Sequence, residues 1–275
     1  MRDPLRRIPS EPYPELPLVL ERFVAGIQNA LQENFIGAYL VGSIATGDFD
    51  LDSDIDFVVI TNNEINDAEV RLAQEWHQEI YNLGCYPAQH LEGSYISRCI
   101  LNRSDVVGLQ PLWFVDNGNP LLTRSPHDNR WHVRWVLRER AISLEGPDPQ
   151  TLVQPVPVET LRAEMRASIE DLRLRFLAEL DRPLGYLNTR FGQSFSVLTC
   201  CRMLHTFKTG SVESKRYAAN WAEQVVGNEW HDLIRKAWTE REGVRFGVKI
   251  KHLSGSELLK RTAQFIAHVQ DKLES

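Results

Sequence analysis

Two short runs decide the fold of this chain: GAYLVGS at residues 37–43 and SDID at residues 53–56. The second run leads into the apolar stretch FVVI, which is typical of a strand. Residues two apart in a strand share a face, so Asp54 and Asp56 would bring two carboxylates together. Unit charges about 4 Å apart repel by roughly 4 kcal/mol at an effective dielectric near 20. We therefore expect a cation between them, and ligands that are all oxygen favour Mg2+, which also takes oxygens from substrate phosphates.

The pair Gly42-Ser43 ends the first run and has the chemistry of a phosphate site. Glycine lets the backbone approach a phosphate closely, and the following amide and hydroxyl can donate hydrogen bonds to it. Together the two runs predict a site for a metal–nucleotide complex. The alternative, an Asx-rich turn before an ordinary half-buried strand, leaves two like charges on one face unexplained.

The composition is that of a globular protein with an acidic balance. The chain has 275 residues, 43% hydrophobic and 25% charged, with a formal net charge of −6 and a pI of about 5.8. Nucleic-acid binders usually carry a basic stripe, so we expect no nucleic-acid partner and instead a cationic small-molecule substrate. The four cysteines show no metal-ligand or redox spacing. No signal peptide or membrane-length apolar run is evident, so we expect a cytoplasmic protein without a membrane partner.

Hydrophobic periodicity predicts an α/β first domain. Strands are predicted at 36–42, 55–61 and 85–97. Helices are predicted at 18–34, 67–81 and 130–143, with a short one after Ser43. Residues 104–129 are rich in turn formers, and we expect them to be irregular.

Residues 152–157 show no regular pattern, and everything after them is helical in pattern. Five helices are predicted at 158–180, 195–208, 214–226, 229–241 and 254–273. Prolines interrupt the chain before the first of them, and we place a domain boundary between residues 150 and 151. The predicted fold is an α/β (α+β) domain with a small mixed sheet over residues 1–150, followed by an all-α helical bundle over residues 151–275.

The first domain carries a family resemblance. The glycine-serine pair, the SDID run and a glycine between them resemble the signature of the polymerase-β-type nucleotidyltransferases. The resemblance implies an ATP whose triphosphate lies on Gly42 and Ser43, with Ser53 also in the nucleotide site. It further implies that Asp54 and Asp56 are catalytic acids that hold Mg2+.

Glu92 falls in the third predicted strand. In the nucleotidyltransferases a third acid comes from a neighbouring strand, and the members that modify small molecules place a glutamate there. The resemblance implies that Glu92 is the catalytic general base, which contacts the acceptor and removes a proton from its hydroxyl as that oxygen attacks the α-phosphate of ATP. Two alternatives are a metal ligand and a solvent-facing residue on an edge strand.

The helical domain carries the second half of the resemblance. It is similar to the helical domain of the streptomycin/spectinomycin-type aminoglycoside adenylyltransferases in four runs: VLTCCR at 197–202, TG at 209–210, SK at 214–215 and AANWA at 218–222. In that family the residues matching Arg202 and Lys215 bind the ATP phosphates, and a triphosphate beside three carboxylates requires such positive charge. The alternative for both is a solvated helix surface. Gly210 is expected to cap the helix before Lys215.

Trp113 is the nearest candidate for a tryptophan that packs on the antibiotic in these family members. The alternative is an aromatic side chain that closes the core.

The resemblance implies an enzyme that uses Mg2+ to transfer AMP from ATP to a hydroxyl of an aminoglycoside antibiotic, with release of pyrophosphate and antibiotic resistance as the result. We expect a monomer. Two other functions stay open. One is nucleotidyl transfer to a protein or an endogenous metabolite, and the other is nucleotide binding without catalysis.

Overall fold

The structure, a computed structural model, describes residues 12–180, 182, 185–241 and 252–274. The chain divides into two units between Val156 and Pro157. The boundary expected from the sequence falls shortly before this point.

The first unit alternates helices and strands. Its helices are α1 (Leu16–Leu31), α2 (Gly42–Thr46), α3 (Asp67–Tyr81), α4 (Tyr86–Gln89), α5 (Arg98–Leu101) and α6 (Trp131–Glu139). Its strands are β1 (Phe35–Leu40), β2 (Ile55–Thr61), β3 (Leu91–Ser97), β4 (Leu112–Val115), β5 (Leu122–Ser125) and β6 (Ile142–Glu145). The elements predicted around the two signature runs, α1 to α3 with β1 and β2, are confirmed.

The strands form a mixed sheet with the order β5-β4-β3-β2-β1-β6. The β2–β3 pair is parallel, and the other neighbouring pairs are antiparallel. In the parallel pair Asp56 lies level with Glu92, and Phe57 lies level with Gly93. Because side chains alternate along a strand, Asp56 and Glu92 share one face of the sheet and Phe57 points to the other.

Helices α1 and α3 cover the face opposite these acids. Phe23 of α1 packs on Phe57, with ring centroids 4.7 Å apart. Gly26 of α1 lies so close to Trp76 of α3 that a Cβ atom would overlap the indole. Glycine therefore lets the two helices approach closely over the sheet. A large cluster of the buried core lies on this side, and on the other face Asp56 is followed along β2 by Val58 and Ile60, which are also buried.

The sheet differs from the prediction toward its edges. The third strand begins at Leu91 rather than at residue 85, because Pro87 belongs to the short helix α4. The region 104–129, predicted to be irregular, contains β4 and β5. The helix predicted at 130–143 ends at Glu139, and its last two predicted residues begin β6. Each of these three strands has four residues, which is too short for alternation of polarity to reveal it.

His77 of α3 is a buried titratable group in this core. Its side chain is 2% exposed and packs against the rings of Phe23 and Phe57. Its Nε2 lies 2.7 Å from the hydroxyl of Tyr95. Burial lowers the pKa of His77 from 6.5 to about 3, because the imidazolium would lose its solvation.

We expect the free energy of unfolding to decrease as the pH falls from 6.5 toward 3. In this window the unfolded chain binds a proton at residue 77 that the folded chain does not, since the folded pKa is the lower one. The contribution is complete above pH 6.5 and is lost at up to about 1.4 kcal/mol per pH unit below it. Urea unfolding at a series of pH values gives the slope of the unfolding free energy against pH. His77→Gln should reduce this slope, and His252→Gln, which removes an exposed imidazole, should not. Equal slopes for His77→Gln and the parent would contradict this assignment.

The second unit is helical, as predicted. Its helices are α7 (Val158–Leu180), α8 (Arg190–Thr209), α9 (Lys215–Val225), α10 (His231–Arg241) and α11 (Ser256–Glu274). Their apolar faces meet in one core, in which Phe176 and Phe265 are among the largest fully buried side chains. Among the helices that the structure describes, none combines the length and apolar character needed to cross a membrane.

Candidate functional site

The turn at Gly42 brings the backbone against Asp56. Val41 donates its backbone N–H to the carbonyl oxygen of Asp56 at 2.9 Å. Gly42 has a φ of 60°, and a Cβ atom there would overlap the carboxylate of Asp56. Other residues are strained at positive φ and carry that Cβ atom, so only glycine meets both conditions. This end of β1 is thereby held in contact with the acids on β2.

The hydroxyl oxygen of Ser43 is buried and makes no hydrogen bond with the part of the chain that the structure describes. An unsatisfied buried hydroxyl costs about 1–3 kcal/mol. An atom of this kind is commonly satisfied by a ligand or an ordered water. Its position beside Gly42 fits a phosphate oxygen.

Asp54 and Asp56 flank the first residue of β2. Only Asp56 belongs to the strand, which begins at Ile55, and Asp54 ends the preceding loop. The charges of both aspartates act on Glu92. The structure therefore brings the three predicted acids together.

Glu92 has a strongly perturbed carboxyl group. Its side chain is 21% exposed. Burial, then the charges of Asp56 and Asp54, and after them those of Asp128 and Asp116, raise the pKa of Glu92 to about 9. A carboxyl group in these surroundings keeps its proton at neutral pH unless a cation offsets the neighbouring charges.

The structure places two further acids, Asp116 and Asp128, near Glu92, and the sequence did not predict them. Asp116 directly follows β4, and Asp128 follows β5, so their positions depend on two strands that the hydrophobic pattern does not reveal. Asp128 accepts a hydrogen bond from the hydroxyl of Ser94 at 2.7 Å, and burial raises the pKa of Asp128. The one sequence signal for Asp116 is an acid directly after the apolar run LWFV.

His127 lies within reach of two acids of this cluster. Its Nε2 is 3.7 Å from Oε1 of Glu92 and 3.9 Å from Oδ1 of Asp128. The ring packs on Phe114, with centroids 5.3 Å apart, and 62% of the side chain is exposed. The cluster thus has an imidazole at its solvent side.

Ser53 is engaged within its own loop. It is 3% exposed, and its hydroxyl donates to Oδ1 of Asp50 at 2.8 Å and accepts from the backbone N–H of Asp50 at 3.1 Å. A hydroxyl bonded in this way shapes the turn before Asp54, and the role of Ser53 toward the nucleotide stays a prediction. A sequence pattern alone does not distinguish a serine that binds phosphate from one that closes a turn.

Trp113 lies on the face of the sheet opposite the acids. In the β3–β4 pair Trp113 is level with Tyr95, and Phe114 is level with Ser94 on the acid face. Trp113 packs against the helix-covered core, and the guanidinium carbon of Arg124 lies 5.2 Å from its ring centroid. The structure therefore does not support Trp113 as an acceptor contact beside the acids, and it favours the alternative of a core aromatic.

The donor set at Asp54 and Asp56 fits a hard divalent cation, because both donors are carboxylates. Within the described ranges, no group of three or more His, Cys, Asp or Glu residues could hold a metal ion by itself. Mg2+ usually keeps several waters and is bound by one or two carboxylates together with substrate phosphates, so a pair of aspartates is sufficient. The crowding of negative charge around Glu92 is a second, independent reason for a cation here.

Arg202 and Lys215 belong to the second unit. Arg202 lies within α8, Lys215 is the first residue of α9, and both are partly buried. Gly210 ends α8 with a φ of 73°, which confirms the predicted cap. The hydroxyl of Ser214 accepts from the backbone N–H of Tyr217 at 3.1 Å and so begins α9. The roles of Arg202 and Lys215 toward phosphate stay predictions.

Two known domain families match the chain. The nucleotidyltransferase domain matches residues 24–94. The C-terminal domain of aminoglycoside adenylyltransferase matches residues 151–268. The chain thus combines a nucleotidyltransferase domain with a C-terminal region similar to that of the aminoglycoside adenylyltransferases. It is therefore an enzyme of the nucleotidyltransferase class.

Similar aminoglycoside adenylyltransferases include two proteins named spectinomycin 9-adenylyltransferase. The one from Campylobacter jejuni is 25% identical over 237 residues, which cover 81% of this chain and 84% of that protein. The one from Staphylococcus aureus is 24% identical over 251 residues, which cover 87% and 86%. The family similarity therefore extends over both units.

One solved structure has the same fold. It is the spectinomycin adenyltransferase from Enterococcus faecialis, crystallised with ATP and spectinomycin. The TM-score is 0.68, and the match covers 94% of this chain and 99% of that chain at 16% identity. The predicted fold class, a mixed-sheet nucleotidyltransferase domain followed by a helical region, is confirmed.

Proposed function

We propose that this enzyme transfers AMP from ATP to a hydroxyl of an aminoglycoside-type antibiotic, with spectinomycin as the first acceptor to test. The observation that carries the proposal is that Glu92 shares a face of the sheet with Asp56 and lies within the influence of the charges of both Asp54 and Asp56. The relatives named spectinomycin 9-adenylyltransferase support the class of acceptor. Such a transfer would confer resistance, and we place it in the cytoplasm, where ATP and Mg2+ are available.

In the proposed reaction Glu92 takes the proton of the attacking hydroxyl. The hydroxyl oxygen forms a bond to the α-phosphorus of ATP, the bond from that phosphorus to the bridging oxygen breaks, and pyrophosphate leaves with the electron pair. Asp54 and Asp56 would hold Mg2+, which when bound stabilises negative charge on the phosphate oxygens. Neutralisation of these aspartates also lowers the pKa of Glu92, since their charges follow burial among the causes that raise it.

The phosphate-binding residues are a further part of this proposal. Gly42 offers close backbone approach, and the buried hydroxyl of Ser43 offers a donor. We propose that Arg202 and Lys215 bind the outer phosphates, because a triphosphate adds negative charge to a site that already holds carboxylates. Their positive charge would also stabilise the pyrophosphate as it leaves.

Lys215→Gln is expected to lower kcat/KM for ATP by roughly 10²–10³-fold, the usual effect of removing one charge-stabilising donor. Lys208→Gln is the matched control, since Lys208 is an exposed lysine in the last turn of α8. Steady-state kinetics with varied ATP would compare the two variants. Equal effects of the two substitutions would contradict the role of Lys215.

The acceptor is proposed to be cationic because the site is rich in acids. Asp116 and Asp128 add to the negative charge around Glu92. A cleft lined by one sign of charge attracts a ligand of the opposite sign. Aminoglycoside-type antibiotics carry amino groups together with the hydroxyls that the reaction needs.

Mass spectrometry would test the proposal directly. The purified protein is incubated with ATP and Mg2+, and with spectinomycin or streptomycin in separate reactions. We expect the mass of one adenylyl group on spectinomycin and an equal amount of pyrophosphate. Adenylylated protein, or ATP binding without any product across the acceptor panel, would overturn the proposal.

A further inference from the structure

Three aromatic rings form a stack beside the loop that carries Asp54. Tyr13 lies almost parallel to Tyr86, with ring centroids 4.5 Å apart and an interplanar angle of 6°. Tyr86 stacks in turn on His90 at 3.7 Å and 10°. We call Tyr13, Tyr86 and His90 the aromatic column.

One end of the aromatic column contacts the middle of the loop, residues 48–54. The hydroxyl of Tyr13 donates a hydrogen bond to the carbonyl oxygen of Leu51 at 2.6 Å. The ring of Tyr13 also meets the ring of Phe49 edge-on, with centroids 6.0 Å apart. The column therefore holds both the backbone and a side chain of this loop.

The other end of the aromatic column contacts the residue that follows Asp54. The carbonyl oxygen of His90 accepts a hydrogen bond from the backbone N–H of Ile55 at 3.0 Å. Nδ1 of the same histidine lies 2.9 Å from the carbonyl oxygen of Tyr86, which fixes the ring within the stack. Asp54 thus lies between two points at which the column contacts the chain.

The loop needs such support because it has no helix or strand of its own. Leu51 at its tip is 53% exposed. Within the loop, Oδ1 of Asp50 accepts from the hydroxyl of Ser53 and from the backbone N–H of Asp52, at 2.8 and 3.0 Å. These bonds give the loop its shape. The contacts with the column join it to the rest of the unit, together with the hydrogen bond from the backbone N–H of Asp48 to the carbonyl oxygen of Ser43 at 2.9 Å.

We propose that the aromatic column is a positioning element of the metal site, which holds residues 48–54 so that the carboxylate of Asp54 stays beside that of Asp56. The identity of the ligand, Mg2+ with ATP, rests on the proposed function. The geometry of the loop rests on the contacts of the column described above. A ligand group that is already in place loses less conformational entropy on binding. Breaking the column should therefore weaken binding of the metal–nucleotide complex without touching a reacting group.

The experiment compares three variants of the whole chain. Tyr13→Phe removes only the hydrogen bond to Leu51, and Tyr13→Leu also removes the stack. Tyr39→Phe is the matched control, because it removes another tyrosine hydroxyl that donates to a backbone carbonyl, that of Pro147, at 2.8 Å. Two readouts are hydrogen–deuterium exchange of residues 48–55 in the ligand-free protein and Mn2+ affinity in the presence of ATP, measured by paramagnetic resonance.

We expect amide exchange at 48–55 to become about fivefold faster in Tyr13→Phe, as for the loss of one ordinary hydrogen bond, and faster still in Tyr13→Leu. The Mn2+ affinity should fall by a similar factor in the same order, and both readouts should be unchanged in Tyr39→Phe. Unchanged exchange at 48–55, or faster exchange with unchanged Mn2+ affinity, would overturn the proposal. A parent protein that binds Mn2+ and ATP but modifies no acceptor would disprove the proposed function and leave this inference standing.

Discussion

Asp56→Asn is expected to abolish AMP transfer and to leave a folded protein. The substitution keeps the shape of the side chain and removes one of the two charges that would hold Mg2+. Loss of several kcal/mol of charge stabilisation corresponds to a decrease in kcat of roughly a thousandfold or more. The mass-spectrometric transfer assay measures the activity, and circular dichroism checks the fold. Substantial transfer by a folded Asp56→Asn protein would contradict the metal assignment.

The same substitution is expected to stabilise the ligand-free protein at alkaline pH. The folded pKa of Glu92, about 9, exceeds the ordinary value of 4.5. The contribution of Glu92 to stability is therefore complete below pH 4.5 and is lost as the pH rises through 9. Removing the charge of Asp56 lowers the folded pKa and reduces this loss, by at least about 1 kcal/mol.

The control for this effect is Asp271→Asn, which changes the net charge equally at an exposed position of α11. Thermal unfolding without metal or nucleotide would be followed near pH 5 and near pH 8. Asp56→Asn should unfold at a higher temperature than both the parent and the control near pH 8, and this difference in unfolding temperature should be smaller near pH 5. A variant that is less stable than the parent near pH 8 would show that the acids do not repel one another as described.

Gly42→Ala is also expected to lower the activity strongly. Its Cβ atom would overlap the carboxylate of Asp56, so that carboxylate must move. A displacement of about 1 Å at reacting groups commonly costs on the order of a hundredfold in rate. We expect a loss of that size or more in kcat/KM, measured with the same assay.

Gly84→Ala separates this clash from backbone strain. Gly84 has a φ of 73°, close to the 60° of Gly42, but a Cβ atom there would meet no atom within 4 Å. Both variants should lose about 1–2 kcal/mol of stability, because an L-residue is forced into the left-handed region. Only Gly42→Ala should lose activity. Similar activities for the two variants would contradict the contact between the turn and Asp56.

The centre of the first unit could be predicted from the sequence because its signals are long and periodic. The run SDID leads into an unbroken apolar stretch, which indicates a buried strand with both aspartates at its start. Glu92 belongs to the next strand that could pair with it. The parallel register that sets Glu92 level with Asp56 appears only in the structure.

The residues at the edge of the site could not be predicted, because they depend on which face of the sheet each residue of a very short strand points to. In β4 a shift of one residue decides whether Trp113 or Phe114 faces the acids, and a strand of four residues does not reveal its own phase. Asp116 and Asp128 follow β4 and β5, so their place beside the other acids could not be predicted without those strands. Short strands between turn formers look like loops in a single sequence.

The second unit shows a different limit of prediction. Five helices with apolar faces follow from the 3.6-residue period, and Gly210 marks a helix end because glycine tolerates positive φ. The periodicity says nothing about which polar residues on those helices bind a ligand. The phosphate-binding roles of Arg202 and Lys215 were inferred from the family resemblance, and the Lys215→Gln experiment tests the second of them.

We propose that Mg2+ joined to a triphosphate lies between the acids of the first unit. Crystals grown with Mn2+ and a non-hydrolysable ATP analogue would test it most directly, because Mn2+ gives an anomalous signal. We predict an anomalous peak within coordination distance of the carboxylates of both Asp54 and Asp56, with a phosphate oxygen on the same ion. A bound analogue with no such peak, or a peak held by Asp116 and Asp128 alone, would contradict the claim.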